Sequence, residues 1–145
     1  LIGRALRAVT DLEKLGERSV WVDCDVLEAD GGTRTAAITG SYVALMLAKE
    51  QSEKDKKLPA NPVKHAVAAV SVGMLGGAAL LDLDYVEDST AAVDMNVVMT
   101  DAGEMVEVQG TGEESTFTKK EMSAMLKVAE KGIKQLLAMQ AKALA

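Results

Sequence analysis

The chain has 145 residues, 22 of them acidic and 16 basic, for a formal net charge of −6. That length suits one domain, and 48% hydrophobic with 26% charged residues excludes a wholly disordered chain. The lone Cys24 and the lone His65 exclude a disulfide framework, a Cys-rich zinc module and most histidine metal sites, and only four aromatic residues (Trp21, Tyr42, Tyr85, Phe117) disfavour an aromatic platform for stacking bases.

In chain order, Ile2, Leu6, Val9 and Leu12 recur at helical spacing and predict a first helix that Gly16 stops. Residues 18–27 then alternate, with Val20, Val22, Cys24 and Val26 on one side and Trp21, Asp23, Asp25 and Leu27 on the other. This period of two predicts a strand with Cys24 facing inward, ended by Asp30-Gly31-Gly32. A second helix is predicted over about 33–51. Ile38, Tyr42, Leu45 and Met46 form its apolar stripe beside a small-residue face of Ala37, Ser41, Ala44 and Ala48. The charged stretch 51–62, with Pro59 and Pro62, reads as an exposed connection and not as a domain boundary. Residues 66–75 and 78–85 predict a hairpin about Gly76-Gly77. Val93, Met95, Val97 and Met99 predict another strand, and the Asp101-Ala102-Gly103-Glu104 turn leads to a short one at Val106 and Val108. Thr118-Lys119-Lys120-Glu121 fits a capping box for a last helix. Met122, Met125, Leu126, Ala129, Ile133, Leu136 and Leu137 trace its buried face, and core packing is the expected role of the methionines. The order α-β-α-β-β-β-β-α predicts an α+β fold, with helices covering a mixed sheet, and a single domain over residues 1–145.

The uncharged run from Ala66 to Leu81 is broken by glycine and too short for a membrane span. No basic segment precedes an apolar one at the start, so no signal peptide is expected. A single cysteine suits a reducing compartment, and the cytoplasm is the expected location. The absence of an initiator methionine leads us to expect a fragment or a processed piece.

Two constellations could carry chemistry. Asp30-Gly31-Gly32-Thr33-Arg34-Thr35 joins a predicted strand to a helix start. Its glycines permit close backbone approach, the free N–H groups of the first turn suit an anion, Thr33 adds a hydroxyl, and Arg34 adds a fork of donors matched to phosphate. An ordinary glycine turn, with Thr33 as N-cap and Arg34 solvated, explains the same residues. It is not a Walker A loop. The second constellation is acidic. Asp82, Asp84, Glu87, Asp88, Asp94, Asp101, Glu104, Glu107, Glu113 and Glu114 fall in one stretch without lysine or arginine. Solvation, a hard cation such as Mg²⁺ held with substrate phosphate, or a basic partner could each offset their repulsion. Periodicity alone does not pick the functional acids. Asp23 with Asp25, Cys24, His65 and Gly110-Thr111-Gly112 each have a simpler reading as solvated pair, small core residue, strand start and loop.

Several blocks resemble bacterial ribonuclease PH. They are Leu-Ile-Gly-Arg-Ala-Leu-Arg-Ala-Val (1–9), Val-Asp-Cys-Asp-Val-Leu-Glu-Ala-Asp-Gly-Gly-Thr-Arg-Thr (22–35), Val-Ala-Ala-Val-Ser-Val-Gly (67–73), Tyr-Val-Glu-Asp-Ser (85–89), Val-Asp-Met-Asn-Val-Val-Met-Thr (93–100) and Val-Glu-Val-Gln-Gly-Thr (106–111). They follow the family's order along nearly the whole chain. Related cores occur in polynucleotide phosphorylase and exosome ring subunits. The resemblance implies the ribonuclease PH-type (ribosomal protein S5 domain 2-like) fold. It implies a phosphorolytic 3′ exoribonuclease that trims transfer RNA precursors with inorganic phosphate as co-substrate and releases nucleoside diphosphates. It places the family's phosphate-binding residues on Gly32, Thr33 and Arg34. The paired catalytic aspartates fall on Asp88 and Asp94, as general acid or Mg²⁺ ligands. It further implies a homo-oligomeric, hexameric ring. The family chain is longer, and its N-terminal strands, with a further phosphate-binding arginine, are absent here, so residues 1–145 alone are expected to be inactive. The competing expectation is a non-catalytic RNA-binding ring subunit of an exosome-like assembly.

Overall fold

The structure, a computed structural model, describes residues 1–58, 61–113 and 115–145. Pro59 of the predicted connection and Glu114 of the acidic stretch lie outside the described residues. Four strands form one sheet in the order β2-β1-β3-β4, with β1 at Val67–Leu75, β2 at Ala78–Leu81, β3 at Val93–Thr100 and β4 at Met105–Gly112. The helices are α1 (Ile2–Ala8), α2 (Leu12–Leu15), α3 (Thr33–Lys54), α4 (Tyr85–Thr90) and α5 (Lys119–Ala143). The α+β class holds. The sheet is not mixed, because every described pairing is antiparallel. Short turns join β1 to β2 and β3 to β4, and the passage from β2 through α4 places β3 on the other side of β1, antiparallel to it.

The sheet carries a different core on each face. On one, Val70, Val72, Val93, Met95, Val97 and Met99 pack against Met125, Ala129 and Ile133 of α5. The capping box at Thr118 and Glu121 starts that helix as the sequence predicts. On the other face, Val67, Ala69 and Val98 pack against Ile38 and Tyr42 of α3 and Ala5, Leu6 and Val9 around α1. The same register brings Ser71, Gly73, Asp94, Asn96, Gln109 and Thr111 onto this second face. It is therefore apolar beneath the middle of α3 and polar toward the end where α3 begins.

Because β2 pairs only with Val72–Leu75, the outward backbone of the first half of β1 needs other partners. Thr39 Oγ1, on α3, accepts from the Ala69 N–H at 3.0 Å and donates to its carbonyl at 3.2 Å. Gln140 Nε2, on α5, donates to the Val67 carbonyl at 3.0 Å, and the Asp82 N–H donates to that of Ser71 at 2.8 Å. Two side chains and one main-chain N–H thus close an edge that would otherwise recruit another strand, and Thr39 ties α3 to the sheet.

Three predicted elements differ. The first helix breaks into α1 and α2. Asp11 caps α2, and residues around Thr10 pair with those around Val63. Helical spacing continued through Val9 and Leu12, but these backbone bonds pull the chain out of the helix. The second strand of the hairpin ends at Leu81, and α4 follows, begun by a reciprocal cap between Asp84 and Glu87. The strand expected at 18–27 is not formed. The run crosses α3 without a strand beside it, with Trp21 and Leu27 each 93% exposed. Cys24 is exposed too, its Sγ 3.1 Å from Ser41 Oγ. Alternation gives side chains two faces, but a strand exists only where a neighbour takes its backbone bonds.

Candidate active site

The glycine loop stands where the polar half of the sheet meets the start of α3. Gly31 and Gly32 have φ of 81° and 56°, in the left-handed region that favours glycine. Gly32 is the N-cap of α3. A Cβ on Gly31 would strike the Leu83 carbonyl, so the loop also needs glycine for close approach. Asp30 Oδ1 accepts from the Tyr85 N–H at 3.0 Å, which ties the loop to the start of α4. Thr35 Oγ1 donates to the Gly32 carbonyl at 2.8 Å and closes the first turn. The outcome is a 22-residue helix whose first turn carries Thr33 and an exposed Arg34, with no ion pair to Arg34 among the described residues.

The two predicted aspartates come from different elements. Asp88 lies on α4, and Asp94 lies on β3, opposite Gly73 of β1 and Thr111 of β4. Buried Leu83 links the parts. Its carbonyl meets Gly31, and its side chain fills the space that a Cβ on Gly73 would need. Burial, then the Asp88 and Glu113 carboxylates, pushes the Asp94 carboxyl up, and the Arg34 guanidinium pulls it partly back. Arg34, at the start of α3, therefore acts electrostatically on Asp94 together with Asp88, and Gly32 and Thr33 adjoin Arg34 in the same loop and first turn. A group of opposed carboxylates beside an unpaired guanidinium can hold a cation, carry a proton and bind an anion.

Other residues join or leave. Glu113 belongs to the neighbourhood, and membership in the acidic run was its only sequence signal. Asp82, with φ of 58°, and the buried Ser71 lie against Gly32. Ser71 was legible as the one hydroxyl in an apolar strand; the backbone of Asp82 was not. Asp101 is remote from the loop and contacts His65 at 2.9 Å. Asp23 and Asp25 line a groove of about 500 Å³ between residues 22–28 and α3, which Gly31 and Thr33 also border. Among the described residues no three metal-binding side chains cluster as a cage, and no helix is long and apolar enough to cross a membrane.

Two models of one family match the chain. The 3′ exoribonuclease family, domain 1, matches residues 1–51, and domain 2 of the same family matches residues 65–132. Ribonuclease PH of Exiguobacterium sibiricum is 61% identical over 137 residues, 94% of this chain and 55% of that protein. Ribonuclease PH of Bacillus cereus strain G9842 is 60% identical over 145 residues, 99% of this chain and 59% of that protein. The chain thus spans less than two thirds of the length of these relatives. Among solved structures, an Archaeoglobus fulgidus exosome with RNA bound to the active site aligns over 95% of this chain and 58% of that one, with a TM-score of 0.70 at 19% identity. Rice Rrp46 aligns over 83% of this chain and 51% of that one, with a TM-score of 0.67 at 17% identity. These two likenesses concern the fold.

Proposed function

Because this chain belongs to the ribonuclease PH family of 3′ exoribonucleases, we propose that it carries the phosphorolytic centre of an enzyme trimming the 3′ ends of transfer RNA precursors. An oxygen of inorganic phosphate attacks the phosphorus of the last phosphodiester. The bond to the 3′ oxygen of the preceding nucleotide breaks, that oxygen takes a proton, and the terminal nucleotide leaves as a nucleoside diphosphate. The observation that carries this reading is the meeting of the anion-suited start of α3 with the Asp88 and Asp94 carboxylates.

In this reading the first-turn N–H groups, the Thr33 hydroxyl and the Arg34 guanidinium hold the attacking phosphate. Gly32 lets it approach the backbone. Asp94, whose proton is held more tightly than an ordinary carboxylate's, supplies the leaving oxygen with its proton. The donor set also fits Mg²⁺, which takes one or two carboxylates and completes its shell with water and substrate phosphate. Asp88 and Asp94 would hold it in their ionised form, with Glu113 adding negative charge nearby; on the metal Asp94 has given up its proton, so ligand and proton donor are alternative roles for that residue. When bound, it would neutralise charge between the two phosphates. The chain works as one packed unit, since Ala5 and Ile38 share a core with Val67 and Val98 across the 51–62 connection. A cytoplasmic hexameric ring is the assembly we propose around it. A non-catalytic ring subunit would have no use for an Arg34 that, among the described residues, lacks an ion pair beside opposed carboxylates.

Arg34→Ala tests the anion role. Loss of a charge-assisted donor near developing charge should cost about 2–4 kcal/mol in the transition state. The variant is assayed by phosphate titration at saturating RNA, with residues 1–145 placed in the matching segment of a full-length ribonuclease PH. The expected result is a large loss of phosphate use with RNA affinity retained. Unchanged phosphate affinity and turnover would remove Arg34 from the site.

A further inference from the structure

Ser71 is the one hydroxyl in the apolar run of β1, only 4% exposed, and its Oγ has no hydrogen-bond partner among the described residues. A buried polar atom left unpaired is costly, so its retention asks for a role. It faces Gly32. A Cβ built there would lie 3.4 Å from Ser71 Oγ, 3.4 Å from Thr35 Oγ1 and 3.8 Å from Asp82 Oδ1. Three oxygens from β1, α3 and the turn after β2 thus ring the space that glycine leaves open. Thr35 is already committed as a donor to the Gly32 carbonyl, so the Ser71 O–H is the free donor of the ring. Asp82 is held in the left-handed region, which costs a non-glycine residue free energy, and its N–H is fastened to the Ser71 carbonyl.

We propose that Ser71 and Asp82 are positioning residues for phosphate, acting through Gly32. This rests on the phosphate reading of the loop. Ser71 Oγ and Asp82 Oδ1 lie beneath Gly32 without bonding to it, and their packing there fixes the room in which its left-handed backbone sits. That backbone sets where the first N–H groups of α3 and the Arg34 side chain point. Neither residue needs to touch the anion.

The test is titration of inorganic phosphate into the 145-residue chain, followed by the amide resonances of Thr33 and Arg34, together with the phosphate KM and kcat of residues 1–145 in a full-length ribonuclease PH. Ser71→Ala, which empties the space beneath Gly32, is expected to weaken phosphate about tenfold, a change of about 1.4 kcal/mol. KM should rise while kcat stays within about twofold, and Ser71→Thr should restore binding. The melting temperature should hold or rise in Ser71→Ala, because removing an unpaired hydroxyl removes a cost. Asp82→Gly should melt higher, as its backbone is relieved, yet bind phosphate more weakly. A purely structural role would move stability and binding together. Phosphate binding as tight as the parent's in both variants would overturn the proposal and leave the loop reading intact. A full-length protein carrying residues 1–145 whose phosphate KM and kcat do not change on Arg34→Ala would overturn the loop reading, and this proposal with it.

Discussion

Asp94 shows at one residue how a strand position becomes a chemical group. It sits in a β-strand with small neighbours, Gly73 on one side and Thr111 on the other, so its carboxylate is half-buried without being walled off. Burial first, then Asp88 and Glu113, raise its proton affinity above the ordinary value of 3.8. The folded chain therefore binds this proton more tightly than the unfolded chain. Stability contributed by the protonated form is present at low pH and is lost as pH rises from 3.8 through the raised value. Asp94→Asn keeps the shape and removes the charge. We predict turnover about 100-fold lower or worse, the loss expected for a missing acid–base group. Melting at neutral pH should be no lower than the parent's, and the variant's relative advantage should shrink on acidification. Melting curves at several pH values, read beside initial rates, check both. A destabilised Asn variant at neutral pH would contradict the assigned cause of the shift. The sequence offered ten acids without ranking them, because proton affinity depends on neighbours brought by other elements. Only the resemblance picked Asp88 and Asp94.

Among elements, α3 matters most for the site, because it carries the loop at its start and must hold a fixed distance from β3. Thr39 is what holds it. One hydroxyl serves both backbone groups of Ala69, as a neighbouring strand would. Thr39→Val preserves shape but strands an N–H and a C=O, and should cost about 2 kcal/mol. Thr39→Ser should stay near the parent. Denaturant unfolding of the three chains measures this, and equal midpoints would show that α3 is held by its apolar stripe alone. Helix α5 was legible because a long apolar stripe and a capping box agree; α3 was legible from its stripe alone, since its N-cap is Gly32 without a side-chain cap and not Thr33. The hairpin was legible from Gly76-Gly77. Helix α4 was missed although Asp84-Tyr85-Val86-Glu87 carries the cap, since the apolar strand before it masked so short a helix. Residues 18–27 were misread for the opposite reason: their alternation is real, but pairing is a property of a neighbour.

For the whole molecule, the account requires that two faces of one antiparallel sheet do different work. One is packed by α5 across β1, β2 and β3, while the other passes from an apolar floor under α3 to a polar end under the glycine loop. The α+β class and the two sides of the site were readable from elements and blocks. Their meeting was not, because it depends on Leu83 bridging Gly31 and Gly73. The central claim is that this meeting is a phosphorolytic centre. Its most direct test places residues 1–145 in the matching segment of a full-length ribonuclease PH and gives the protein a 3′-extended transfer RNA precursor, with and without inorganic phosphate. The account predicts terminal nucleotides released as nucleoside diphosphates, in proportion to phosphate and dependent on it. Release of nucleoside monophosphates, or release indifferent to phosphate from a folded protein, would contradict it.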